Sequence, residues 1–273
     1  MIEGTILLVG CGNMGGALVK GWLSQGLNPV DLMLVEPRGR SSVDATTQHP
    51  ALSVLSHLDE VPSDFEPDVV VFAVKPQLIQ EVLPLYKRFA RTGTIYLSVV
   101  AGVTVSSLRS YLGKDAIIVR TMPNMPAAVG SAISALYSDT ALGEVEGKAC
   151  EVLMSAVGQI VWLTAEKDMN VVTAISGSGP AYVFLLIEAL TEAGIRLGLN
   201  ADLALKLSIS TVAGSGELVA NSQESPKSLR SSVTSPGGTT EAALQELMQD
   251  SALQTLINRA VKAAAKRSAE LSG

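Results

Sequence analysis

Between residues 5 and 164 the chain alternates short aliphatic or β-branched runs with stretches of helical character. The runs are TILLVG, LMLV, a weak ALSVL, VVVFAV, TIYLSVV and AIIVRTM. Such alternation predicts an α/β fold, a doubly wound and mostly parallel sheet whose strands are joined by crossover helices. VVVFAV and TIYLSVV are apolar at nearly every position, which predicts central strands covered on both faces. Beyond them PNMPAAVG reads as a loop, SAISALYS as a strand, ALGEVEGKACEVLMSAV as a helix and IVWL as a last strand.

From about residue 165 helical patterns take over: AYVFLLIEALTEAGIRLGL, DLALKLSISTVAGSGELVAN, SPKSLRSS, EAALQELMQDSALQTL and RAVKAAAKRSAEL. Two domains are therefore expected, 1–164 and 165–273, the second all-helical. Its first helix, residues 181–197, is apolar on more than one face, with Glu188, Glu192 and Arg196 each one turn after the last. One stripe is wetted and the rest must be buried. An apolar helical domain with few aromatics predicts packing against a second copy, a homodimer through the C-terminal helices.

At 273 residues and 47% hydrophobic content the chain can bury one large core or two modest ones. A formal charge of −6, with 20 scattered Lys and Arg, argues against nucleic-acid binding. Cys11 and Cys150 fall in different elements without metal-ligand spacing, which fits a reducing cytoplasm and no metal. The start, MIEGTILLVG, has an acid before its apolar run and no basic segment, so it reads as a first strand and not a secretory signal. Two stretches, TMPNMPAAVGSAISALYS and VVTAISGSGPAYVFLLI, lack charge over a membrane-span length; prolines, glycines and serines are expected to break both, so no membrane span is expected. His49 and His57 sit in polar surroundings and read as solvated or edge residues.

VGCGNMG places GxGxxG at Gly10, Gly12 and Gly15, directly after the first strand and at the start of a helix. Gly10 suits the tight turn, Gly12 the approach of backbone to a pyrophosphate, and Gly15 close helix–strand packing. The helix start then offers free amides to phosphates. In LVEPRGR, Glu36 could accept from the ribose 2′-hydroxyl of NAD, whereas Arg38 and Arg40 could pair with the 2′-phosphate of NADP. AVKPQ follows the strand VVVF and lies beside the expected crevice; Lys75 there is a cofactor contact or a plain solvated lysine.

Hydride transfer to a ketone needs a proton donor, yet no histidine follows residue 57 and none of Lys167, Lys206, Lys227, Lys262 and Lys266 lies on the apolar helix behind the crevice. A protonated C=N bond carries its own proton, so an enzyme mainly has to hold it. VTSPGGTT, residues 233–240, offers the amides of Gly237 and Gly238 before a helix starting near Thr239, with hydroxyls of Ser235, Thr239 and Thr240. The loop would suit a small anionic imino acid; it could also be a helix linker.

The sequence resembles the pyrroline-5-carboxylate reductase family over nearly its whole length, through VGCGNMG, AVKPQ, VVAGVT, RTMPNMPAAVG, AISGSGPAYVF and LRSSVTSPGGTT in that order. The resemblance implies a dinucleotide-binding domain followed by a helical dimerisation domain, often assembled into rings of dimers. It implies reduction of L-1-pyrroline-5-carboxylate to L-proline with NADPH or NADH, the last step of proline biosynthesis. By position, Gly10, Cys11, Gly12, Asn13, Met14 and Gly15 would hold the pyrophosphate, with Glu36 and Arg38 at the adenosine end. Ala73, Lys75, Pro76, Ala101 and Gly102 would line the crevice. Glu166, Val233, Ser235, Gly237, Gly238, Thr239 and Thr240 would hold substrate, the Thr240 hydroxyl near its ring nitrogen. Ser176 and Ser178 of SGSGP would cap the long apolar helix. Where NADP-using members have a small hydroxyl residue this chain has Glu36, which would repel a 2′-phosphate unless Arg38 compensates. A small hydroxy-acid dehydrogenase and a non-catalytic nucleotide sensor are the rival readings.

Overall fold

The computed structural model describes residues 4–43, 49–91 and 93–272. Glu3, the acid weighed against a secretory signal, and Gly273, the expected domain end, lie outside them. Eight strands form one sheet: β1 (Ile6–Val9), β2 (Leu32–Val35), β3 (Ser53–Leu55), β4 (Val69–Phe72), β5 (Ile95–Ser98), β6 (Ile117–Met122), β7 (Ala132–Tyr137) and β8 (Gly158–Trp162). Their order is β3-β2-β1-β4-β5-β6-β7-β8, with every neighbouring pair parallel except β6 and β7. VVVFAV and TIYLSVV thus supply the two central strands, and the weak ALSVL supplies a short edge.

The helices between strands are α1 (Asn13–Ser24), the short α2 (Ile79–Val82), α3 (Val105–Leu112) and α4 (Glu144–Ser155). Because side chains alternate along a strand, the sheet divides the core in two. Ile6, Leu8, Leu34 and Leu97 pack with Trp22 of α1 and Leu153 of α4 on one face, while Leu7, Val70, Phe72 and Tyr96 pack with Leu108 of α3 on the other. Trp22 is fully buried, and its indole N–H donates to the Leu153 carbonyl at 2.8 Å, tying α1 to α4.

Beyond β8 come α5 (Met169–Val172), α6 (Gly179–Arg196), α7 (Ala201–Asn221), α8 (Pro226–Ser232), α9 (Thr239–Met248) and α10 (Ala252–Leu271). The chain divides into two compact units, Met1–Gly177 with Ala265–Gly273, and Ser178–Ala264. The first unit thus runs past the expected boundary at 164 and regains the chain's end. Met169 and Ala174 are fully buried within it, and Ser268 donates to the Asn170 side-chain oxygen at 2.8 Å.

Three local expectations need correction. The SGSGP stretch does not interrupt the chain: a wider helical turn at Thr173–Gly177 joins α5 to α6, absorbing glycine and serine without a break. Two stretches, Glu166–Arg196 and Ala201–Asn221, are accordingly long and apolar enough to cross a membrane by length and composition. EAALQELMQDSALQTL is two helices, because Asp250 and Ser251 both adopt left-handed backbone, with φ of 50° and 55°. Finally, α6 has no buried residue in the single chain; Phe184, Leu185 and Leu186 are about half exposed or more, and only the Glu192–Arg196 pair at 2.9 Å marks the expected wetted stripe.

One buried charge fastens the start of the helical segment to the sheet. Arg120 of β6 is 3% exposed and donates to Glu166 at 2.8 Å, while the same carboxylate oxygen accepts the Val105 amide at 2.8 Å, at the first turn of α3. Removing one partner of a pair with so little solvent strands the other charge. Arg120→Met is expected to lower stability to urea by about 3 kcal/mol, and adding Glu166→Gln should recover part of that loss. An Arg120→Met midpoint equal to that of the parent protein would show that the pair contributes nothing.

Candidate active site

Loops that leave the carboxyl ends of β1, β2, β4 and β5 converge where the strand order reverses, between β1 and β4, the place at which open α/β sheets bind ligands. At the end of β1 the backbone turns at Gly10, with φ of +88°, and a Cβ there would lie 2.9 Å from the Ala73 carbonyl oxygen. A Cβ on Gly15 would lie 2.4 Å from the Gly10 oxygen, so only glycine lets α1 pack this closely on β1. Gly12, by contrast, faces open space, with nothing within 4 Å of a Cβ position. It also precedes the first residue of α1 without a side-chain oxygen to satisfy the first-turn amides. Exposed Asn13 and half-buried Met14 follow. An open backbone cradle at an uncapped helix start fits a pyrophosphate.

The Cys11 amide donates to Glu36 Oε2 at 2.9 Å, and the Cys11 side chain is buried. Glu36 Oε1 accepts the Arg38 Nε at 2.9 Å and the Arg38 amide at 3.3 Å. Burial alone would raise the Glu36 pKa, but the hydrogen bonds from Arg38 and Cys11 outweigh it and hold the carboxyl below its ordinary value. Being depressed, it stays ionised through the usual carboxylate range, and its hold on the loop is lost only as pH falls through that lowered value. Arg40 points elsewhere, onto the carbonyls of Leu52 and His49. His49 and His57 are both exposed, as their polar surroundings suggested.

After β4, half-buried Ala73 leads to exposed Lys75 and Pro76, which open a short helical turn at Pro76–Leu78. After β5, exposed Ala101 precedes Gly102, whose φ of +76° makes a tight turn. A Cβ on Gly102 would lie 3.1 Å from the Leu271 carbonyl oxygen, so the end of α10 packs on this loop. Glu166, expected at the substrate, is engaged through one oxygen by Arg120 and Val105, and its other oxygen has no partner among the described residues. Arg120 escaped the sequence reading, although a lone charge inside AIIVRTM was the signal of a buried partner.

The 233–240 loop lies in the other compact unit, between α8 and α9. The expectation that the Gly237 and Gly238 amides are free is incorrect: Gly237 N–H donates to Glu241 Oε2 at 2.7 Å, and Gly238 N–H to the Ser235 carbonyl at 3.0 Å. Four-residue spacing brings the Glu241 side chain back over the helix start it belongs to. The free donors are one step further on. Gly238 provides no side-chain cap to α9, and the amides and hydroxyls of Thr239 and Thr240 have no partner among the described residues. The Ser235 hydroxyl likewise has no partner among the described residues, and Val233 is exposed. The SGSGP serines do not cap α6: Ser178 is already helical and makes no cap bond, and Ser176 Oγ donates to the Val172 carbonyl.

Residues 166–271 match the family described as pyrroline-5-carboxylate reductase dimerisation, and residues 5–102 match NADP oxidoreductase coenzyme F420-dependent. The chain is 36% identical over 267 residues to a pyrroline-5-carboxylate reductase of Pseudomonas aeruginosa, covering 98% of this chain and 96% of that one. It is 39% identical over 264 residues to one of Arabidopsis thaliana, covering 97% and 94%. Its fold is similar to a pyrroline-5-carboxylate reductase structure from Coxiella burnetii, with a TM-score of 0.91, 34% identity and 99% of both chains covered. A Plasmodium falciparum pyrroline carboxylate reductase structure with NADP bound superposes with a TM-score of 0.83 at 29% identity over the whole of both chains. Likeness of this extent spans both the glycine turn after β1 and the hydroxyl loop before α9: the chain belongs to the pyrroline-5-carboxylate reductase family, NAD(P)H-dependent oxidoreductases that reduce the imine of L-1-pyrroline-5-carboxylate to L-proline.

Proposed function

We propose that in this chain the reduction is carried by two sets of groups, a dinucleotide cradle on the sheet and an anion-binding helix start at 239–240. The observation that carries this reading is the pair of amides at Thr239 and Thr240, flanked by the hydroxyls of Ser235, Thr239 and Thr240, all without a partner among the described residues, at the positive end of a ten-residue helix. Such a helix start binds a carboxylate without a charged side chain. Glu241 fastens Gly237 and Ser235 fastens Gly238, so the turn is already shaped without the Thr239 and Thr240 donors.

Bound NAD(P)H supplies the hydride. The residues 10–15 hold its pyrophosphate, and Ala73, Lys75, Pro76, Ala101 and Gly102 border the crevice. The substrate carboxylate rests on the Thr239 and Thr240 amides with the Ser235 hydroxyl, and Val233 covers the apolar ring. Thr240 orients the ring nitrogen through its hydroxyl. The iminium arrives protonated and leaves as an amine, so no side chain is obliged to deliver a proton. Glu166, with one oxygen free, is a further substrate contact. The half-exposed apolar faces of α6 and α7 pack against a second copy, giving a cytoplasmic homodimer able to assemble into a ring, in place of a membrane span.

The purified protein should oxidise NADPH or NADH, followed by absorbance, on addition of pyrroline-5-carboxylate. Thr240→Ala should lower kcat/KM by roughly 10- to 100-fold, the scale of one hydrogen bond to a charged group, and leave measurable turnover; complete loss with the fold intact would mean that the hydroxyl delivers the proton. Gly238→Trp should abolish turnover while cofactor affinity holds, whereas a nucleotide sensor would be indifferent to it. Light scattering across micromolar dilution should give at least twice the chain mass, and a monomer throughout would contradict the dimer.

A further inference from the structure

Glu36 stands where a carboxylate would discriminate between the two dinucleotides, accepting a 2′-hydroxyl and repelling a 2′-phosphate. Its surroundings fit that task poorly. The side chain is 6% exposed, against 65% for Arg38 beside it. Both oxygens are already acceptors, one for the Cys11 amide inside the glycine turn and one for Arg38 Nε and the Arg38 amide. Its charge is paired at 2.9 Å with the guanidinium, so at a distance the two act as a dipole and not as a lone anion.

We propose that Glu36 is a positioning residue for either dinucleotide, linking the glycine turn to the loop after β2, and that discrimination rests with Arg38, which binds the 2′-phosphate of NADPH. The inference rests on the reading of residues 10–15 as the dinucleotide cradle.

The pairing leaves Arg38 suited to that role. Glu36 uses Nε, and the two terminal nitrogens have no partner among the described residues. A guanidinium held at its inner nitrogen presents its outer pair as a fork, the geometry that matches phosphate oxygens. Arg40 is engaged by the Leu52 and His49 carbonyls. The same link carries a structural consequence: the Cys11 amide lies in the turn that must present Gly12, so loosening Glu36 loosens the pyrophosphate cradle common to NADH and NADPH.

Dissociation constants for NADPH and NADH, measured by nicotinamide fluorescence without the imine, test the proposal separately from the proposed reaction. Failure to turn over pyrroline-5-carboxylate would overturn the proposed reaction and leave these constants readable. For Glu36→Gln, with far-UV dichroism matching the parent, both constants should rise at least about threefold; a constant for NADPH that stays the same or falls would mean that the carboxylate repels the phosphate. For Arg38→Met, the NADPH constant should rise by roughly 10- to 100-fold more than the NADH constant, the scale of charge-assisted hydrogen bonds. Equal changes in the two would overturn the assignment, and this variant decides even if Glu36→Gln does not fold.

Discussion

The fold turns on one close approach. A single carbon added at Gly15 would lie 2.4 Å from the Gly10 carbonyl oxygen, so α1 can cross the end of β1 only because neither residue carries a side chain in the way. That approach sets the angle of α1, brings Trp22 to the Leu153 carbonyl, and so fixes α4 on the same face of the sheet. It also leaves the Gly12 backbone bare at the reversal of strand order. Packing and binding surface arise from the same absence of side chains.

Much of the first unit was legible because its central strands are buried on both faces and therefore almost continuously apolar, a pattern few helices share. The glycine turn was legible because three backbone demands fall at fixed spacing. What escaped were contacts between residues far apart in sequence. Nothing local says that Glu36 would spend an oxygen on the Cys11 amide, or that Arg120 would find Glu166 across the sheet. The error at Gly237 was of another kind: Glu241 stands where a helix-start carboxylate turns back on the preceding amides, and reading the glycines without it made the wrong donors free. The segment 165–177 reads from its periodicity as the beginning of the helical domain, and the matching dimerisation segment begins at residue 166, while the contacts of 165–177 group it with the sheet unit.

The two units differ in how they are stabilised. In the first, the central strands have helices of the same chain against both faces, and large residues such as Trp22, Phe72 and Tyr96 are fully enclosed. In the second, α6 contains no enclosed residue and α7 encloses only Ala204 and Ser208. Hydrophobic side chains half in water contribute little until something covers them. Membership of a family whose matching segment is described by dimerisation gives that surface a reason.

The last helix imposes an order on biosynthesis. Its end, with Ser268 on Asn170 and Leu271 against Gly102, belongs to the sheet unit, although the ribosome makes it after the whole helical unit. The nascent sheet must therefore wait, incomplete at the loop after β5, until the final turns emerge. A fragment cut at the apparent domain boundary would lack a piece of its own surface.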